Sequence, residues 1–340
     1  MADLAGRERG QIILIAAFAL AVTFVSLALI VNSAIFTENL ASRGETAGGD
    51  GALDARAMVE TSVERSVAAA NRYNHSAPEA AVERDVRAAS RQRGKQQALT
   101  GGLVNTSNPH DYHYGSRIAM NDSGGGNFTA NGLSGGASDW QLVEGVDENG
   151  RPHAVRAFEM EIKKGGALDS TDLDPLSGRF TVVVNNTGSP SRQWTVTLWR
   201  EDLNPDRIHV RTERPGGAAR ECAKTIPADE FAVSLTDGTV DGRPCHALGY
   251  DQAADTYFGY GAGVSTPYNV SFQNGDQVKG NYSFVTANSP ATTTLDSGPS
   301  AGPAPYMTSA VYEVEVAFTY ANPSINYTTQ IRVAPGEPDG

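Results

Sequence analysis

One stretch restricts this chain more than any other. Residues Ile12 to Val31 read IILIAAFALAVTFVSLALIV, twenty positions without a charge. A helix of that length is about 30 Å long, the thickness of a hydrocarbon core. Its only polar side chains are Thr23 and Ser26, whose hydroxyls can bond back to the helix. Arg7 and Arg9 precede the run and no Lys or Arg follows until Arg43. The positive-inside rule then places the N-terminus in the cytoplasm and the chain beyond about residue 35 outside. A cleaved secretory signal would have a shorter apolar region, about 7–15 residues, ending in a small-x-small site. Asn32-Ser33-Ala34 matches such a site poorly. The expectation is a retained single-pass anchor, with the cell membrane as partner and the bulk of the chain extracellular.

The residues before the run, Arg7-Glu8-Arg9-Gly10-Gln11-Ile12-Ile13-Leu14-Ile15, resemble the leader of archaeal type IV pilin-like proteins. That resemblance implies cleavage between Gly10 and Gln11. Such pilins usually carry Glu at the fifth mature position, which here is Ile15. The layout as a whole, with the closing stretch Tyr327-Thr328-Thr329-Gln330-Ile331-Arg332-Val333-Ala334-Pro335-Gly336-Glu337, resembles haloarchaeal membrane-anchored, type IV pilin-like surface proteins of unknown function. The resemblance implies a location, and pilin-like or envelope proteins as partners, more than an activity.

After the apolar run the helix is expected to continue to about Ser42 and to break at Gly44 and Gly48-Gly49-Asp50-Gly51. Val59, Val63, Val67 and Ala70 then recur at helical spacing, as do Val82, Val86 and Ala89. Ser76-Ala77-Pro78-Glu79 has the form of a capping box with Pro in the first turn. Glu83 and Arg87 stand one turn apart. Residues 52–97 read as a helical hairpin whose stripe packs within the chain or joins other subunits. The expected divisions are a leader and anchor (1–44), the hairpin region (45–104) and a β-rich domain (105–340).

Beyond Leu103 the apolar period becomes two. Tyr312, Val314, Val316 and Phe318 alternate with polar neighbours, and Tyr327, Thr329, Ile331 and Val333 follow after a turn at Asn322-Pro323-Ser324. Phe180, Val182 and Val184 with Trp194, Val196 and Leu198 form a second expected hairpin. Phe158, Met160 and Ile162 add a strand, as do Tyr268, Val270 and Phe272, and then Tyr282 and Phe284. With 36 Gly and 17 Pro, short strands joined by turns are favoured. The expected class is α+β: one transmembrane helix, a short helical hairpin and a mainly antiparallel β-sandwich ectodomain.

The formal charge of −12 argues against nucleic acid as a partner, because phosphate binding needs a basic surface. Of 27 basic residues only 5 are Lys, and an acidic, Lys-poor surface suits a halophilic source. Cys222 and Cys245 are the two cysteines, and in an exported domain an even pair reads as one disulfide.

Asn-x-Ser/Thr occurs at Asn74, Asn105, Asn121, Asn127, Asn185, Asn269, Asn281 and Asn326. This composition would give roughly three such sites by chance. Asn185, Asn269, Asn281 and Asn326 sit on the polar parity of their strands, where a glycan can be carried. The expectation is a surface glycoprotein.

Candidates for chemistry are sparse. Gly132-Leu133-Ser134-Gly135-Gly136 matches G-x-S-x-G without the strand and helix that a hydrolase elbow needs. His110 and His113 are three apart and would face opposite sides of a strand. Asp169, Asp172 and Asp174 cluster without EF-hand spacing. No cofactor and no catalytic residue are expected. The chain reads as a non-catalytic surface component or, alternatively, as a domain that binds a sugar or calcium.

Overall fold

The computed structural model describes residues 4–337 apart from 75, 100, 121–124, 151–152, 165–177, 202, 215, 250–263, 265, 293–294 and 300–301. Helix α1 runs from Leu4 to Tyr73, and within it side chains are described for Phe18, for Leu20–Val31 and from Asp50 onward. Helix α2 follows from Pro78 to Leu99. Pro78 opens it, as the sequence suggests, because a residue without an N–H leaves no orphan donor there.

Two expectations about α1 need correction. First, it continues through Gly44 and Gly48–Gly51 without a break. Helical glycine costs only about 1 kcal/mol, and Gly51 makes room for Tyr320, whose hydroxyl lies 3.0 Å from where a Cβ would stand. Second, among the described residues no helix is long and apolar enough to cross a membrane. Within the apolar run the described side chains are those of Phe18 and Leu20–Val31. Ile12–Ala17 lie outside the described side chains. The expected transmembrane helix, the membrane as partner and the single-pass cell-membrane location are withdrawn on that finding. Phe18, Leu20, Phe24 and Leu27 of that run are exposed.

From residue 103, apart from 3-10 turns at His246–Leu248 and Gly275–Gln277, the regular structure among the described residues is strand. In order these are β1 (Leu103–Thr106), β2 (His110–Met120), β3 (Gly126–Asn127), β4 (Trp140–Val146), β5 (Val155–Lys163), β6 (Phe180–Asn186), β7 (Ser189–Arg200) and β8 (Arg207–Glu213). They continue as β9 (Arg220–Thr225), β10 (Glu230–Ser234), β11 (Thr239–Val240), β12 (Arg243–Pro244), β13 (Tyr268–Gln273), β14 (Lys279–Thr286), β15 (Pro305–Ala321) and β16 (Asn326–Val333). A ten-stranded sheet runs β1-β15-β2-β14-β5-β10-β11-β12, with β16 on β15 and β3 on β14. A six-stranded sheet runs β4-β13-β6-β7-β8-β9. The registers are antiparallel.

By contacts the chain divides into two compact units: residues 1–58, 92–105 and 318–329, and residues 59–91, 106–317 and 330–340. In the first, Asn322 shapes the hairpin turn by accepting from the N–H groups of Ser324 and Ile325 at 2.8 Å each. The second holds the sandwich core. Phe158, Met160, Ile162 and Phe284 from the larger sheet pack in one cluster with Val182, Trp194, Val270 and Phe272 from the smaller. The alternating apolar positions of β5, β6, β7, β13 and β14 all point into it. Phe128 stands between Phe180, Phe272 and Tyr282 at ring-centre distances of 5.0–5.6 Å.

The cysteines form the expected disulfide, with Cα atoms 5.7 Å apart. Cys222 lies on β9 at the end of the smaller sheet, and Cys245 directly follows β12 at the end of the larger. The bond therefore joins the two layers at one end. Thr212 of β8 adds a second tie by donating to the Ala247 carbonyl at 2.8 Å.

The helical stripe in this unit, Val59, Val63, Val67, Ala70, Val82 and Val86, is buried within the chain. Buried Asn71 extends the stripe with a polar group. Its Nδ2 donates to the Val311 carbonyl, and its Oδ1 accepts from the Val311 N–H, both at 2.8 Å. One side-chain amide thus serves the β15 backbone as a neighbouring strand would.

Candidate functional site

Three register shifts set the local chemistry of the larger sheet. Along β2 and β15, Val311 faces Tyr114 and Glu313 faces His113, so β15 holds an extra residue, Tyr312. Next, Glu315 faces His110, so β2 holds an extra residue between His110 and His113. The second bulge cancels the first. Along β14 and β5, Ser283 faces Glu159 and Val285 faces Arg156, and the extra residue lies on β5. Ala157 there has φ +49°. Bulges re-aim side chains, and these do.

The first bulge brings ionic groups inside. Arg156 and Glu313 are buried. Arg156 Nη1 donates to the Tyr312 carbonyl at 3.1 Å, and its guanidinium lies 3.9 Å from the centre of the Tyr312 ring. Glu313 accepts from Arg332 at 2.5 Å, and Glu337 lies 2.8 Å from Arg332 and 3.3 Å from Arg156. Gly336, at φ +69°, packs so tightly on the β5 bulge that a Cβ would stand 2.7 Å from that of Ala157. The C-terminal segment is clasped onto β5 by this network. Tyr312 donates its hydroxyl to the His153 carbonyl.

Beside the clasp, the last turns of α1 and the outward face of the larger sheet enclose a cleft of about 350 Å³. Its polar walls include Glu159 and Glu161 on β5, Asn281 on β14, Arg117 on β2, Tyr306 on β15, and Arg72 and Tyr73 at the end of α1. Glu159 and Glu161 are two apart on one strand, so they share a face. Asn281 Nδ2 donates to Glu161 at 3.0 Å, and Arg117 donates to the Tyr306 hydroxyl at 2.9 Å. Partial burial raises the Glu159 pKa, as do the nearby Glu161 and Asp237 carboxylates, against the pull of Arg72. Tyr73 is 69% exposed, which leaves its ring available at the rim.

The residues singled out in the sequence fall in different places. His113 Nδ1 lies 3.8 Å from the Glu313 carboxylate, whereas His110 is drawn to Glu315. The two histidines do not converge on one point of the sheet. Ser134 is exposed in a turn, and no strand leads into it. Asp169, Asp172 and Asp174 lie outside the described residues, as do Asn121 and the side chains of Gly10 and Gln11. Asn105 and Asn326 are exposed, while Asn74, Asn185, Asn269 and Asn281 are half-buried. Asn127 is buried and donates its Nδ2 to the Asp276 carbonyl at 2.7 Å, so a glycan has no room there.

The cleft was missed because Glu159 and Glu161 read as ordinary outward positions of an amphipathic strand. The readable signal was the pair Asn71-Arg72: Asn71 is a polar residue on the apolar face of α1, which marks a specific contact.

The fold and cleft together define a two-sheet antiparallel sandwich with a helical pair packed on it and a polar, carboxylate-lined recess. A family of unknown function, DUF7261, matches residues 6–107. That segment covers α1, α2 and β1 and includes none of the other strands of the sandwich. No characterised protein and no solved structure matches the chain.

Proposed function

We propose that this is a non-catalytic ligand-binding protein whose cleft takes a small neutral saccharide. The observation that carries the reading is the wall composition: two carboxylates and an amide side by side, the guanidiniums of Arg72 and Arg117, and tyrosines around 350 Å³. Carboxylates accept from sugar hydroxyls, while Asn281 and Arg117 can donate to them. Exposed Tyr73 supplies a flat apolar face with a polar tip at the rim. The volume is at the lower end of the range for ligand sites, which suits one or two sugar rings. Glu159 and Glu161 are balanced by Arg72 and Arg117, so the cleft carries no net charge and suits a neutral ligand.

Binding fits better than hydrolysis. Glycosidases place two carboxyl groups on either side of the scissile bond. Glu159 and Glu161 rise from one face of one strand and would meet the same side of a ligand.

Calorimetric titration of the full chain at high salt against neutral mono- and disaccharides tests the reading. Saturable binding is expected, with Glu161→Gln and Tyr73→Ala each weakening it by about tenfold, roughly 1.4 kcal/mol. Silence across the panel, or affinity unchanged in both variants, would sink it. A glycan found on Asn281 of the native protein would do the same, because it would fill the cleft.

A further inference from the structure

The second bulge of the pair, on β2, creates a different constellation. His110, Asp111 and Glu315 each bring a ligand atom to within 4.8 Å of the others. In an unbroken strand His110 and Asp111 would face opposite sides of the sheet. Here Asp111 takes φ +49°, a backbone state that Asp adopts more readily than most residues. The register places Glu315 directly across from His110. An imidazole, an exposed carboxylate and the carboxylate of the facing strand thus share one locality.

We propose that His110, Asp111 and Glu315 form a binding site for one divalent transition-metal ion of the zinc class. His110 supplies the second, independent observation. Its Nδ1 lies 2.9 Å from the Glu315 carbonyl oxygen. A carbonyl only accepts, so Nδ1 carries the proton and Nε2 presents its lone pair. Metal-binding histidines are held in this way, with the non-ligating nitrogen donating to a backbone carbonyl or a carboxylate. The same strand that provides the Glu315 ligand therefore also fixes the His110 tautomer.

The donor set selects the ion. Calcium and magnesium take all-oxygen shells, so an imidazole counts against them. One nitrogen and two carboxylate oxygens suit zinc, manganese or cobalt, with water completing the shell. Ligands about 2.1 Å from a common zinc ion stand roughly 3.4 Å apart in a tetrahedron. Exposed Asp111 can close that gap by side-chain rotation. This site is separate from the saccharide reading, since none of its three residues lines the cleft.

The test is a titration of the tag-free full chain with zinc chloride by calorimetry, and with cobalt chloride followed by its visible absorption. Binding of one ion per chain is expected, with cobalt bands that zinc abolishes. His110→Ala and Asp111→Asn should each weaken zinc binding by tenfold or more. Asp111→Asn keeps a residue that tolerates positive φ, so it decides the matter if His110→Ala fails to fold. His113→Ala should bind within twofold of the parent chain. The proposal is overturned if the parent binds no zinc, if either site variant binds within twofold of it, or if His113→Ala loses binding.

Discussion

The β6/β7 hairpin and the β2/β15 pair look alike in sequence, with apolar residues at every second position, yet they fold to different ends. From Phe180 opposite Leu198 to Asn185 opposite Gln193, β6 and β7 advance one residue for one. Phe180, Val182, Val184, Trp194, Val196 and Leu198 all go inside. On the other face Thr181 and Thr197 bond to each other at 3.0 Å. Among the described residues of that face none is titratable. The β2/β15 pair slips twice, in opposite senses, and each slip re-aims charged side chains. One turns Glu313 into the interior beside Arg156, and the other gathers His110, Asp111 and Glu315. The regular register of β6 and β7 fills the core, and the irregular register of β2 and β15 gathers ionisable groups.

The largest expected effect tests that contrast directly. Glu313→Ala removes the buried anion between Arg332 and Arg156 and should cost about 3–5 kcal/mol, because Glu337 alone is then left to balance two guanidiniums, one of them buried. Thr197→Ala on the regular hairpin should cost about 1 kcal/mol, the net value of one hydrogen bond. Urea unfolding of both variants measures the pair, and equal costs would erase the distinction. Next comes the disulfide that joins the two sheets at one end. Replacing Cys222 and Cys245 by alanine should cost about 3 kcal/mol for a loop of this length, read in the same assay. An unchanged midpoint would mean that the sheets hold together at that end without the bond. Asn71→Ala should cost about 1–3 kcal/mol, since it strands both the N–H and the carbonyl of Val311. Hydrogen exchange at the Val311 amide should accelerate in that variant, and unaltered protection there would show that the helix does not support β15.

The same contrast explains what could be read from the sequence. Alternation alone located β6, β7, β13, β14 and the β15/β16 hairpin, because each has one face in the core and a one-residue slip would turn that face to water. The pairing of Cys222 with Cys245 followed from their number. The bulges left no such mark. Asp111 and Ala157 have positive φ without being glycine, and the extra residue at Tyr312 fits the alternation on either side of it. Glu313 therefore read as an outward residue and is buried. The apolar run from Ile12 pointed to a membrane span, a long-range conclusion from composition; the described helices do not support it. The glycines at 44–51 were over-weighted as breakers because local propensity is weak beside tertiary contact.

The smallest effect expected is a pH dependence, and it separates the outward faces of the two regions. The outward threonines of β6 and β7 do not titrate. On β5, Glu159 is held above its ordinary value of 4.5 by partial burial and by the Glu161 and Asp237 carboxylates. Its raised pKa means that the folded chain binds a proton more tightly than the unfolded chain. Its contribution to stability is therefore complete below pH 4.5 and is lost as the pH rises through the folded value. Glu159→Gln removes that loss. The stability of the variant relative to the parent chain should increase from about pH 4.5 upward, while the difference for Thr197→Ala stays level. Urea midpoints at intervals from pH 4 to 7 provide both curves. A flat Glu159→Gln difference, or one of opposite slope, would mean that Glu159 ionises as freely as a solvent-exposed carboxylate. The cleft wall would then be too well hydrated to hold its carboxylates in place for a ligand.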